Sequence, residues 1–157
     1  LKEWKRRNYN LEPSENFYLE TAFSSTENQG FFVGKEQTLN SINDNNCFLI
    51  NALTSDIHKG ESTRYGRPGK IPSSINIPFS DLMDINTHML KSPKEALSAF
   101  EKHNITKDSE ILNYCGGGIA ATLDAFILYQ LGFDLFSVYD NSMSEWAMDE
   151  SLPIETG

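Results

Sequence analysis

The chain reads as an α/β protein with a mostly parallel central sheet and helices on both faces. Three observations lead there. Short apolar runs bounded by polar residues recur at 47–50, 110–114 and 135–139, the pattern of strands buried on both sides. Helical segments with recognisable ends lie between and beside them, at 92–103 and 120–131. Strands that alternate with helices are joined by crossovers, and crossovers make neighbouring strands parallel.

Each element follows from local chemistry. Residues 1–15 form a polar tail with Trp4, the basic cluster Lys5-Arg6-Arg7 and Pro13. Residues 24–30 are a loop by composition. Phe31-Phe32-Val33 is a short strand, and residues 36–43 make one or two helical turns with Leu39 and Ile42 facing inward. After the turn Asp44-Asn45-Asn46 comes a buried strand, in which Cys47 is expected as a core residue. Residues 59–74, rich in Gly, Pro, Ser, Arg and Lys, are a long loop that ends in the extended piece Ser74–Ile77 before Pro78. Ser92 as N-cap and Pro93 at the first helical position start the next helix. The strand over Glu110–Tyr114 leads into the helix from Ala120 to Leu131, which Gly132 closes. Beyond the last strand, Ser144-Glu145-Trp146 begins a short helix with Trp146 as its core anchor.

Composition narrows the function. The 157 residues suit one domain, with 39% hydrophobic and 22% charged residues. A net charge of −9 without a basic stripe argues against a nucleic-acid or anionic-membrane surface. No apolar stretch approaches the roughly 20 residues of a membrane span, and none reads as a secretory h-region. The first residue is leucine, which leaves room for a preceding segment. Two cysteines, Cys47 and Cys115, make neither a disulfide framework nor a zinc spacing, and His58, His88 and His103 are scattered. No metal site is therefore expected, and His58 reads as a surface residue. A free reactive thiol in a reducing cytoplasm fits best.

That thiol is Cys115. It stands between a strand and a helix in Tyr114-Cys115-Gly116-Gly117-Gly118-Ile119-Ala120-Ala121. The N–H groups of such a loop converge, and a helix N-terminus adds partial positive charge, so the thiolate is favoured. Three consecutive glycines cost conformational entropy and gain little unless the backbone must approach something closely.

Three stretches now carry a family resemblance. Residues 69–78, Gly-Lys-Ile-Pro-Ser-Ser-Ile-Asn-Ile-Pro, resemble the GHIPGAINIP signature of rhodanese-type sulfurtransferases. The loop from Tyr114 to Ala121 resembles that family's active-site loop, and residues 138–146 resemble its YDGSWSEW close. The ending Leu152-Pro153-Ile154-Glu155-Thr156-Gly157 resembles the tail of tandem-domain members. The start, with Trp4 and then Tyr9-Asn10-Leu11-Glu12, looks like the end of another rhodanese domain. The resemblance therefore implies a linker or tail of a preceding domain over 1–15 and a rhodanese domain over 16–157.

The resemblance also implies a chemistry. The Cys115 thiolate takes sulfane sulfur from a small donor of the thiosulfate or mercaptopyruvate type, and a thiol or cyanide-like acceptor removes it. No cofactor is implied. Gly116, Gly117, Gly118, Ile119 and Ala120 are expected to hold the persulfide through their N–H groups. Thiosulfate-type members carry cations just after the cysteine and mercaptopyruvate-type members a serine at the position of Gly117. This chain has glycine at both Gly116 and Gly117. A substrate-binding cation must come from elsewhere, and Arg64 and Arg67 are the candidates, with Lys59 and Lys70 behind them. Asn51, where the family often has aspartate, is expected to cap the following turn. Asp140 and Ser142 are expected to brace the cysteine loop.

Two rivals fail on residues. A cysteine phosphatase needs an arginine where this loop has Ala121, and a nucleotide-binding P-loop needs Gly-Lys-Ser/Thr after its glycines. A third stays open: a rhodanese module that relays sulfur to, or docks, a protein partner without turning over small donors.

Overall fold

The computed structural model describes residues 1–157. It has a five-stranded, all-parallel sheet of order β1-β5-β4-β2-β3, with β1 Phe32–Val33, β2 Cys47–Asn51, β3 Ile75–Asn76, β4 Glu110–Tyr114 and β5 Phe136–Tyr139. The helices are α1 Lys2–Arg6, α2 Lys35–Ser41, α3 Ser55–His58, α4 Pro93–Glu101, α5 Ile119–Leu131 and α6 Ser142–Trp146. A 3₁₀ turn covers Phe79–Leu82.

Strand alternation divides the core in two. Leu49, Leu112 and Tyr114 join Ile57 of α3 and Trp146 of α6 on one side of the sheet. Ile50 and Ile111 join Phe100 of α4 and Leu128 of α5 on the other. The ends of α4 and α5 form as their residues dictate. Ser92 and Glu95 make a reciprocal capping box at α4, and Gly132 closes α5 at φ 78°.

Three sequence expectations are corrected. On α2 the buried residue is Thr38, while Leu39 is exposed. The Thr38 hydroxyl donates to the Gly34 carbonyl at 3.0 Å, so the helix buries a satisfied threonine one position away. Cys47, the first residue of β2, is only partly buried, because it lies at the strand's outer end. The last helix, α6, ends at Trp146 instead of beginning near it.

Residues 10–28 form no helix or strand and are exposed. Among them, Phe17, Tyr18, Leu19 and Phe23 are 87–93% exposed. No helix is long and apolar enough to cross a membrane.

Candidate active site

Parallel pairing puts the carboxyl ends of β2, β4 and β5 side by side, where sites of open α/β sheets form. Cys115 follows β4 directly and is 2% exposed. Its loop is fastened from the neighbouring strand end. The Ser142 hydroxyl accepts from the Cys115 N–H at 2.9 Å and donates to the Tyr139 carbonyl at 2.6 Å. The N–H groups of Met143 and Ser144 donate to the Cys115 and Gly116 carbonyls at 3.1 and 2.8 Å. The Ser144 hydroxyl also donates to the Gly116 carbonyl. The first turn of α6 is thus a cradle that turns the carbonyls of the cysteine loop inward.

Turning the carbonyls inward frees the N–H groups. Those of Gly116, Gly117, Gly118, Ala120 and Ala121 have no acceptor within the protein. Gly118 is the N-cap of α5, at φ 81°, and no side chain caps that helix. Five donors at a bare helix N-terminus form a receptor for negative charge beside the thiol. Gly118 is required twice over, by its positive φ and because a Cβ there would overlap the Asp140 carboxylate. A Cβ at Gly116 would overlap the Tyr65 ring.

Cys115 lines a cleft of about 930 Å³. Its walls are mostly apolar, and Arg64 is the one charged residue among the sixteen that line it. Arg64 pairs with no carboxylate and lies 5.6 Å above the centre of the Tyr65 ring.

The motif at residues 69–78 reaches the same strand end from the other side. The Tyr114 hydroxyl accepts the Ile71 N–H at 3.1 Å and is bonded to the Ser74 hydroxyl at 2.7 Å. Loop 70–74 is therefore pinned to the residue that precedes the cysteine.

Residues 37–149 match the family profile described as Rhodanese-like domain. The chain belongs to the rhodanese-like domain family.

This rhodanese-like chain is 37% identical over 90 residues to thiosulfate/3-mercaptopyruvate sulfurtransferase 1, mitochondrial, of Arabidopsis thaliana, a match covering 57% of this chain and 24% of that protein. It is 27% identical over 158 residues to 3-mercaptopyruvate sulfurtransferase of Escherichia coli (strain K12), covering 99% of this chain and 56% of that protein. The chain thus spans about half the length, or less, of these curated relatives. Among solved structures it resembles the 3-mercaptopyruvate sulfotransferase SseA from Escherichia coli, described as having a "rhodanese" fold, with TM-score 0.74 and 24% identity over 88% of this chain and 52% of that one.

Against this rhodanese-like frame several site expectations are corrected. Arg67 does not reach the cleft. Its guanidinium donates to the carbonyls of Trp146, Ala147, Asp149 and Leu152 at 2.6–3.2 Å, clamping the end of α6 and the turn after it. The Ile119 N–H donates to the Gly117 carbonyl at 3.1 Å, so it is already used, while the Ile119 side chain lines the cleft and is 86% exposed. His58 is 8% exposed, and its Nδ1 has no partner. It sits in α3, where burial above all, with the positive charge of Lys70 and Lys59, pushes its pKa down to about 4.

Other placements are plain. The Asn51 Oδ1 accepts the Leu53 N–H at 2.9 Å and so holds the turn after β2. Asp140 packs beside Gly118. Sequence reasoning missed the cleft walls Tyr65, Phe79, Met83 and Phe126. Tyr65 had a signal, its place between Arg64 and the loop's glycines. The others come from separate elements and had none.

Proposed function

We propose that the chain is a sulfurtransferase that carries sulfane sulfur on Cys115. The observation that carries this reading is a thiol lining an open cleft beside five backbone N–H groups with no acceptor in the protein. The Cys115 thiolate attacks the donor sulfur. With thiosulfate the S–S bond breaks, sulfite leaves with its electron pair, and Cys–S–S⁻ remains. With 3-mercaptopyruvate the C–S bond breaks, and the leaving pyruvate enolate takes the proton of the transferred SH. An acceptor thiolate or cyanide then attacks the outer sulfur, and the Cys115 thiolate returns. The balance needs no cofactor. The N–H groups of Gly116, Gly117, Gly118 and Ala120 stabilise the persulfide charge, and Arg64 attracts the anionic donor.

Intact-protein mass spectra before and after incubation with thiosulfate or 3-mercaptopyruvate test this, with Cys115→Ser as control. The expected result is a gain of one sulfur atom that cyanide removes and the control lacks. No gain on a folded protein with a titratable Cys115 thiol would overturn turnover of small donors. It would favour the second reading, sulfur relay to a protein partner, which the uncharged Gly116 and Gly117 also suit.

The proposal includes a reducing compartment such as the cytoplasm, and a preceding rhodanese domain to which residues 1–15 are the tail or linker. The latter is supported by Phe17, Tyr18, Leu19 and Phe23, apolar side chains that this chain leaves uncovered. The mass of the polypeptide in its native cell tests it. A mass near that of this chain alone would overturn the preceding domain.

A further inference from the structure

We infer that the sulfur acceptor is a thiol with an extended apolar body and one anionic group, not a small hydrophilic thiol. This rests on the sulfurtransferase reading of Cys115. The size of the cleft is the first ground. At about 930 Å³ it lies near the top of the range that buries drug-sized ligands, far more than a compact ion needs.

The lining is the second ground. Ten of the sixteen residues are hydrophobic, and Phe79, Met83, Leu123 and Phe126 form walls beyond the cysteine loop. In a chain of net charge −9, no carboxylate lines this cleft. Apolar walls gain nothing from a hydrated ion and gain steadily from each methylene they cover. Arg64, unpaired, supplies a single positive charge on the wall. One cation on an apolar wall fits an amphipathic anion.

The direction of the cleft is the third ground. Ile119, Leu123 and Phe126 lie on one face of α5, so the apolar wall runs along the helix away from Cys115. Phe126 also borders a neighbouring groove of about 290 Å³, where Leu90, Pro93 and Leu131 stand beside Lys91 and Gln130. A chain longer than the cleft therefore meets further, partly apolar surface past Phe126.

The transfer is balanced. The acceptor thiolate attacks the outer sulfur of Cys115–S–S⁻, the S–S bond to Cys115 breaks, and the products are the Cys115 thiolate and R–S–S⁻.

The test loads Cys115 with thiosulfate, 3-mercaptopyruvate or inorganic polysulfide. Discharge is then followed with mercaptoacetate, 3-mercaptopropionate, 6-mercaptohexanoate and 8-mercaptooctanoate, with cyanide as an acceptor that has no apolar body. The expected result is a kcat/KM that rises about two- to fourfold per added methylene. Phe126→Ala should flatten that slope within its own series. Arg64→Gln should abolish the preference for 6-mercaptohexanoate over 6-mercaptohexanol. A persulfide that forms and discharges to cyanide, with kcat/KM independent of chain length, overturns this inference and leaves the sulfurtransferase reading intact. Failure of thiosulfate, 3-mercaptopyruvate and polysulfide alike to load Cys115 overturns this inference together with the turnover of small donors.

Discussion

Arg64 and Arg67 are three residues apart in one loop, yet their removal should read out in opposite ways. The Arg67 guanidinium donates to four carbonyls at 3.1, 3.0, 3.2 and 2.6 Å. A hydrogen bond from a charged donor contributes about 1.5–3 kcal/mol, but bonds from one group do not add, and partly exposed carbonyls recover water. We take about 3 kcal/mol for Arg67→Ala, which in a chain of this size lowers the melting temperature by about 6–12 °C. The carbonyls held belong to the end of α6 and the turn beyond it, and the first turn of α6 holds the Cys115 loop. Loading of Cys115 should therefore slow as the loop loosens, for every donor alike. Arg67→Lys should fall between, because one ammonium cannot span the same four carbonyls. Arg64→Ala, an exposed side chain without an ion pair, should stay within about 0.5 kcal/mol of the parent and raise KM for anionic donors. Urea melts combined with steady-state kinetics measure both. An Arg67→Ala protein as stable as the parent, with KM raised for thiosulfate alone, would refute the clamp and return Arg67 to the substrate.

Three further outcomes follow from buried or strained groups. Asp124 of α5 is fully buried with neither oxygen bonded, and burial holds its pKa well above the usual carboxylate range. The unfolded chain releases that proton near pH 4 and the folded chain keeps it, so stability falls as pH rises above that point. Asp124→Leu should thus melt higher than the parent, by a margin wider at pH 8 than at pH 5; a margin that shrinks with pH refutes this. His58, with its pKa pushed down to about 4, charges first in the unfolded chain, so stability present at pH 7 is lost as pH falls from about 6.5 towards 4. That loss is on the order of 1–2 kcal/mol by pH 5 and should be missing in His58→Asn, as pH-dependent urea midpoints would reveal. The charged groups around it, Lys70, Glu155 and Lys59, stay in place for that comparison. Gly118→Ala places a Cβ against Asp140 at a positive φ and should cost about 1–3 kcal/mol while slowing Cys115 loading at least about tenfold. Unchanged loading kinetics in that variant would mean the free N–H groups do not hold the persulfide.

Much of the fold was legible because its signals are local. The strand Glu110–Tyr114, the Ser92–Pro93 helix start and the Gly132 stop each depend on residues adjacent in sequence, and each appears where it was expected. The cysteine loop was legible for the same reason, since a thiol, three glycines and a helix start are contiguous. The Thr38–Leu39 reversal shows the limit. Periodicity favours leucine inward, but a threonine that bonds its own helix backbone is no longer costly to bury.

The sequence by itself determined the strand–helix alternation, the place of the thiol at a strand end and the bare helix start behind it. Those depend on backbone propensity and on side chains a few positions apart. Only the tertiary structure decided which arginine faces the cleft and which clamps α6, that His58 is buried, and that Phe79, Met83 and Phe126 wall one cleft. These depend on partners about 80 or more residues away for Arg67, and on elements brought together only when the two cores close on the sheet. A side chain's role follows from the groups it meets, and in a parallel sheet each crossover places those groups far apart in sequence.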